Sequence, residues 1–196
     1  MLLLLLVGQL SSSHLIVENF RQKIAGASTV TVTVTSLHEE FPKPFDTKFW
    51  FRKGGFYRTE SKQGTLIASP TKCWSYKPTG KTYREFPGAQ RNWSIVVATG
   101  LGEFDPAVMP PIGPPEHVKW HGLSTVRVEL DGRKQMTKET KLYCFYDAKT
   151  LDQVGISANL GSITQVRIFR DLRIDPKIDP KMFQFTPPKG WKLDKG

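Results

Sequence analysis

The sequence predicts a mainly-β chain: one curved antiparallel sheet that carries an N-terminal helix and a second helical piece in mid-chain. Three observations predict it. Apolar residues recur with period two along most of the chain. Turn-forming residues cut these alternating stretches into short runs. Helical periodicity occurs in only two places, and helices do not alternate with strands as a doubly wound parallel sheet requires.

The first helix lies in HLIVENFRQKIAGAS. Ile16, Phe20 and Ile24 recur every four residues, Leu15 and Val17 widen the stripe, and Glu18, Asn19, Arg21, Gln22 and Lys23 fill the opposite face; Gly26 is the stop. Thr29 to Thr35 reads TVTVTVT, a strand with valines on one face and threonines on the other. The stretch from Phe45 to Phe86 breaks at Gly54-Gly55, Gly64, Pro70 and Pro78-Thr79-Gly80, which predicts successive hairpins. Trp93, Val96, Val97 and Leu101 are spaced as on a helix, and the Pro-rich stretch 110–115 predicts irregular chain. Strands return from Val126, again on both sides of Asp147-Ala148-Lys149, and in ITQVRIFRDLRI, expected to be the last long strand.

Several strands are apolar on both faces. Phe49 and Phe51 oppose Trp50; Leu142, Cys144 and Tyr146 oppose Tyr143 and Phe145. A sheet with one wet face alternates more cleanly. Two arrangements satisfy the pattern: a curled sheet enclosing an apolar chamber, or a solid sandwich core. The pattern does not choose between them.

The sequence carries little that reads as catalytic. It has no Gly-x-Ser-x-Gly elbow and no His-Glu-x-x-His. Thr79-Gly80-Lys81-Thr82 lacks the first glycine of a phosphate loop and sits in a hairpin, so it reads as a turn. His117 and His121 are four apart but flanked by prolines and strand-like residues, which argues against a metal site. No enzyme, metal or cofactor is expected. The net charge of +10 is spread along the chain. Beside aromatics it suits a solvated surface, an anionic membrane, an acidic partner or single-stranded nucleic acid. Residues 1–13, MLLLLLVGQLSSS, read as a truncated signal peptide, with no Lys or Arg ahead of the leucines, and 14–196 as a single domain. An exported chain argues against nucleic acid. No Cys follows the leucines as a lipid anchor, and in an oxidising compartment Cys73 and Cys144 have the opportunity to pair.

Three sets of residues resemble one family. The opening helix with Phe20 and Gln22-Lys23 is followed by a strand. KFWFRKGGFYR precedes CWSYKP. Phe183-Gln184-Phe185-Thr186-Pro187-Pro188-Lys189-Gly190 closes the chain, with Asp179-Pro180 just upstream. In order and spacing they resemble LolA-type outer-membrane lipoprotein carriers, within the LolA/LolB superfamily, from residue 14 onward. The resemblance implies a half-open, incomplete β-barrel with a helical lid, in a soluble periplasmic protein. It implies a carrier that shields the acyl chains of lipoproteins between an inner-membrane release complex and an outer-membrane receptor. A lipid- or lipoprotein-sensing regulatory module of the same fold is the alternative. Arg52 matches the family's lid latch, although Lys53 replaces the proline that follows it. The lipid-binding chamber is assigned to Val32, Val34, Phe49, Phe51, Phe56, Trp74, Tyr76 and Trp93. Which face of each strand is concave stays open here, because a one-residue slip inverts it.

Overall fold

The computed structural model describes residues 12–38, 41–87, 108–132, 141–160 and 163–194. The chain opens with α1 (Ser12–Gly26) and continues into β1 (Thr29–His38), β2 (Phe41–Arg52), β3 (Phe56–Ser61), β4 (Gly64–Ala68), β5 (Lys72–Lys77) and β6 (Thr82–Pro87). It resumes with β7 (Pro111–Trp120), β8 (Leu123–Leu130), β9 (Lys141–Asp147), β10 (Gln153–Leu160), β11 (Ile163–Ile174) and the two-residue β12 (Lys192–Leu193). All twelve strands belong to one sheet, in the order β12-β6-β5-β4-β3-β2-β1-β11-β10-β9-β8-β7. The sheet is not closed. This is the incomplete barrel with a helix that the sequence predicts. The mid-chain helical piece, with Trp93, lies outside the described residues.

Curvature follows from which residues share a core. Val30, Val32, Val34, Phe49 and Phe51 from the middle of the sheet belong to one buried cluster with Val126, Val128, Leu142 and Cys144 from its far end. A flat sheet would hold β2 and β8 about 24 Å apart, five steps of ~4.8 Å. Curling brings them together, and α1 fills the space between, burying Val17, Phe20 and Ile24. Phe20 meets Tyr146 edge-on at 6.0 Å. The stripe is rotated slightly from the expected one: Ser13 and Val17 are buried and Leu15 is exposed. Ser13 donates its hydroxyl to the Gly113 carbonyl of β7 at 2.9 Å, which pins the start of the helix to the sheet edge.

Two sequence expectations are corrected. The Pro-rich stretch 110–115 is not irregular but enters strand β7. β7 is the terminal strand, so its prolines face no ladder partner on one side, and its register with β8 shifts between Ile112 and Glu116. The sheet is also not wholly antiparallel. β12 pairs with β6 in parallel, so β11 is the last long strand but not the last strand. The Thr79–Thr82 segment is a turn, as expected: a 3₁₀ turn at Pro78–Gly80 with Lys81 left-handed at φ 49°.

The outer face has its own packing. Trp120 stacks on Phe145 with centroids 4.1 Å apart. Beneath it Gly155 leaves no room for a side chain: a Cβ there would collide with the Trp120 ring and meet the Arg167 carbonyl oxygen at 2.6 Å. The β9–β10 hairpin is closed by Asp147, whose carboxylate accepts from the backbone N–H groups of Lys149 and Thr150, both at 2.9 Å. These bonds, that from Thr150 foremost, hold its pKa below the usual aspartate value.

Two outcomes are expected. Gly155→Ala destabilises the protein by about 1–3 kcal/mol in urea unfolding, because the carbonyl on one side cannot yield. Asp147→Ala lowers stability at neutral pH. A depressed folded-state pKa stabilises above the unfolded value of about 3.9 and loses that contribution as pH falls through the folded value. The gap between wild type and variant in thermal melts therefore narrows on acidification below that range.

Candidate functional site: the inner face and its open end

Ladder register assigns every strand residue to a face. Val30, Val32 and Val34 pair with Phe51, Phe49 and Thr47, and Phe51 pairs with Tyr57, which pairs with Ala68. Cross-strand partners point the same way, so these residues lie on the inner face with α1. Phe49 stacks on Phe51 at 5.9 Å, and Phe51 on Tyr57 at 6.1 Å. Val32, Val34, Phe49, Phe51 and Tyr57 are all buried. Of the eight residues expected to line one chamber, Val32, Val34, Phe49 and Phe51 are thus brought together.

Phe56, Trp74 and Tyr76 are not brought to the same place. Phe56 pairs with Arg52, next to inner-facing Phe51, and Trp74 pairs with Ile67, next to inner-facing Ala68. Both therefore project from the outer face, as does Tyr76 two residues beyond Trp74. One inner chamber cannot contain all eight, because the alternation that sends Phe49 and Phe51 inward sends their immediate neighbours outward.

What covers those outer rings is the end of the chain. Residues 176–194 cross the outer face of β2–β6 as a strap. Its 3₁₀ turn (Pro180–Phe183) is capped by Asp179, which accepts from the Lys181 backbone N–H at 2.9 Å. Phe183 is 2% exposed and meets Phe56 edge-on at 6.2 Å. Two residues later Phe185 inserts among Tyr76 at 5.2 Å, Tyr83 at 5.3 Å and Trp74 at 6.0 Å. Trp191 closes on Tyr76 at 5.4 Å. The closing sequence motif is therefore a pair of aromatic pegs, and its period of two lets both enter the same face.

Arg52 belongs to this strap. Its guanidinium lies 3.8 Å over the Phe56 ring and 5.3 Å from the Phe183 ring, two cation–π contacts. Arg58 is ion-paired with Glu60 and donates to the Met182 carbonyl at 3.2 Å. The position that the resemblance assigns to a lid latch thus holds the closing segment on the outer face.

The inner face is filled under α1 and open at its other end. A groove of about 580 Å³ lies over β3–β6, bounded by Thr59, Ser61, Leu66, Ser75, Lys77 and Arg84 among others. Of the eight expected chamber residues only Tyr76 borders it among the described residues. Leu66 joins the groove to the buried core, against which it packs. A solid core and an open groove lie in different parts of one face. His117 lies on β7, and His121 stands in the following turn with its ring against Trp120 at 4.6 Å. Among the described residues no three His, Cys, Asp or Glu side chains gather as a metal site would need. No helix among them is long and apolar enough to cross a membrane. Cys73 and Cys144 are both buried in the main core.

Because Phe183 fills a socket made by Phe56 and Arg52, Phe183→Ala is expected to cost about 3–5 kcal/mol in denaturant unfolding. A change within a few tenths of wild type would show that the strap is not integral to the fold.

No protein-family model matches the chain, and no curated protein matches it by sequence. Solved structures do. An uncharacterized conserved protein from Thermus thermophilus matches with TM-score 0.57 and 8% identity, over 94% of this chain and 99% of that one. The Mycobacterium tuberculosis lipoprotein LppX matches at 0.53 and 9% identity, over 85% and 98%. LprF from Mycobacterium bovis matches at 0.51 and 14% identity, over 90% and 96%. At such identities it is the fold alone that is shared.

Proposed function

We propose that this chain binds the acyl chains of lipids or lipoproteins on the inner face of its half-open barrel and carries them outside the cytoplasm. One observation carries the reading: the inner face is not filled along its length but opens, at Leu66, from an apolar core into a groove of about 580 Å³. Each methylene removed from water contributes about 0.8 kcal/mol, so a cleft backed by Leu66 and the apolar core suits hydrocarbon, with hydroxylated and charged side chains along its wall. The resemblance to LolA-type carriers supports this reading. The leucine-rich start fits an exported protein. By that resemblance the cargo is an acylated lipoprotein, taken from an inner-membrane release complex and delivered to an outer-membrane receptor. An open sheet also suits a carrier energetically, since cargo held by partial burial is surrendered more readily than cargo sealed in.

Native mass spectrometry of protein purified from its own host envelope tests the reading. Bound lipid or acylated protein is the expected result, together with uptake of a hydrophobic fluorescent probe. Ser75→Trp, which places a large ring at the groove wall without touching the core under α1, is expected to lower probe binding at least fivefold. A bare chain that also ignores such probes would overturn the proposal.

A further inference from the structure

One side chain on the inner face is out of keeping with its neighbours. The ladder row Val128–Cys144–Ile156–Arg167–Ser36–Phe45 crosses six strands, from β8 to β2. Val128, Cys144 and Ile156 are 1%, 0% and 8% exposed. Arg167 follows them on the same face and is half-buried. The other half-buried arginines among the described residues all have partners: Arg21 has Glu18, Arg52 has two aromatic rings, Arg58 has Glu60, and Arg127 has Glu116. Among the described residues Arg167 makes no ion pair, side-chain hydrogen bond or ring contact.

Charge drawn into apolar surroundings is costly unless an opposite charge meets it. Among the described residues, nearby inner-face positions supply none. Val34 and Phe169 lie in the row on one side. On the other, Gln165 and His38 face each other at 3.3 Å. These side chains hydrogen-bond and carry no carboxylate, so they suit assisting an oxyanion rather than pairing with a cation.

We propose that Arg167 anchors the anionic headgroup, a carboxylate or a phosphate, of an acyl lipid; this rests on the acyl-binding reading above. The guanidinium fork matches either oxyanion. The route for the tail is set by the adjacent row, Phe169–Val34–Thr47–Ser61–Gly64, which leads from beside Arg167 across β1, β2 and β3 to the groove, where Ser61 and Gly64 form part of the wall. From β11 to β4 is four strand spacings, about 19 Å along the sheet, a distance that a long acyl chain spans.

The test uses delipidated full-length protein and three ligands with the same 18-carbon tail: oleate, oleoyl lysophosphatidic acid and the neutral monoolein. Wild type is expected to bind at least one anionic ligand tenfold or more tighter than monoolein, and whichever of the two is favoured identifies carboxylate or phosphate as the head. Arg167→Gln is expected to abolish that preference while leaving monoolein binding within twofold, and Arg167→Lys to retain part of it. In the lipid-free state Arg167→Gln should melt at or above the wild-type temperature, since it removes an unmet charge. Equal binding of all three ligands, or an anionic preference that survives Arg167→Gln, overturns the anchor and leaves acyl binding standing. Failure of wild type to bind any of the three overturns the acyl-binding reading along with it.

Discussion

The structure depends on a sheet that is apolar on both faces. A strand alternates strictly, so a run such as Phe49-Trp50-Phe51 or Tyr143 to Tyr146 commits large rings to two opposite sides. Water on either side would forfeit roughly 1.5–3 kcal/mol for each such ring left exposed. With one α-helix among the described residues, the chain answers in two ways. It curls the sheet so that the inner face covers itself with the help of α1. It then turns its own closing segment back over the outer face of β2–β6. Phe183 and Phe185 on one side and Phe20 and Ile24 on the other play equivalent parts.

This division explains which parts of the molecule are free to act. The outer face is occupied by the strap, whose aromatic pegs leave Phe56, Trp74 and Tyr76 engaged in stability. The inner face is occupied by α1 near Val17 and Phe20. Among the described residues, what remains is the inner face over β3–β6, where small and hydroxylated residues, Ser61, Ser75 and Thr59, replace the rings found elsewhere. A groove exists there because those side chains are too short to fill it.

Much of this was legible in the sequence. Period two, the glycine and proline breaks and the four-residue stripe of α1 gave the strands, hairpins and helix, because each is a local consequence of backbone geometry. What was not legible is pairing. The prolines of β7 look like breakers until one knows that the strand is terminal. Phe56, Trp74 and Tyr76 look like chamber residues until register shows them on the far side from Phe49. The partnership of Phe183 with Phe56 joins residues 127 apart in sequence, and no local pattern announces it. Arg167 was hidden for the same reason. In Val166-Arg167-Ile168-Phe169 it reads as the exposed member of an amphipathic strand, yet its parity with Phe169, a core residue, is the one signal that could have found it.

That parity bears on how an open barrel can be selective. Hydrocarbon tails differ little from one another in an apolar groove, where an added methylene changes affinity only modestly. Discrimination among lipids therefore has to come from polar groups placed where a head, rather than a tail, will lie. The inner face offers such groups at one end of its central strands, Ser36, His38, Gln165 and Arg167, and apolar bulk at the other, Val30, Phe51 and Ile24. On the acyl-binding proposal, the polar end would fix the head of an amphiphile and leave its tail to follow the adjacent row towards the groove over β3–β6. The gradient arises from nothing more than where along two adjacent strands the inward-facing positions change from apolar to polar.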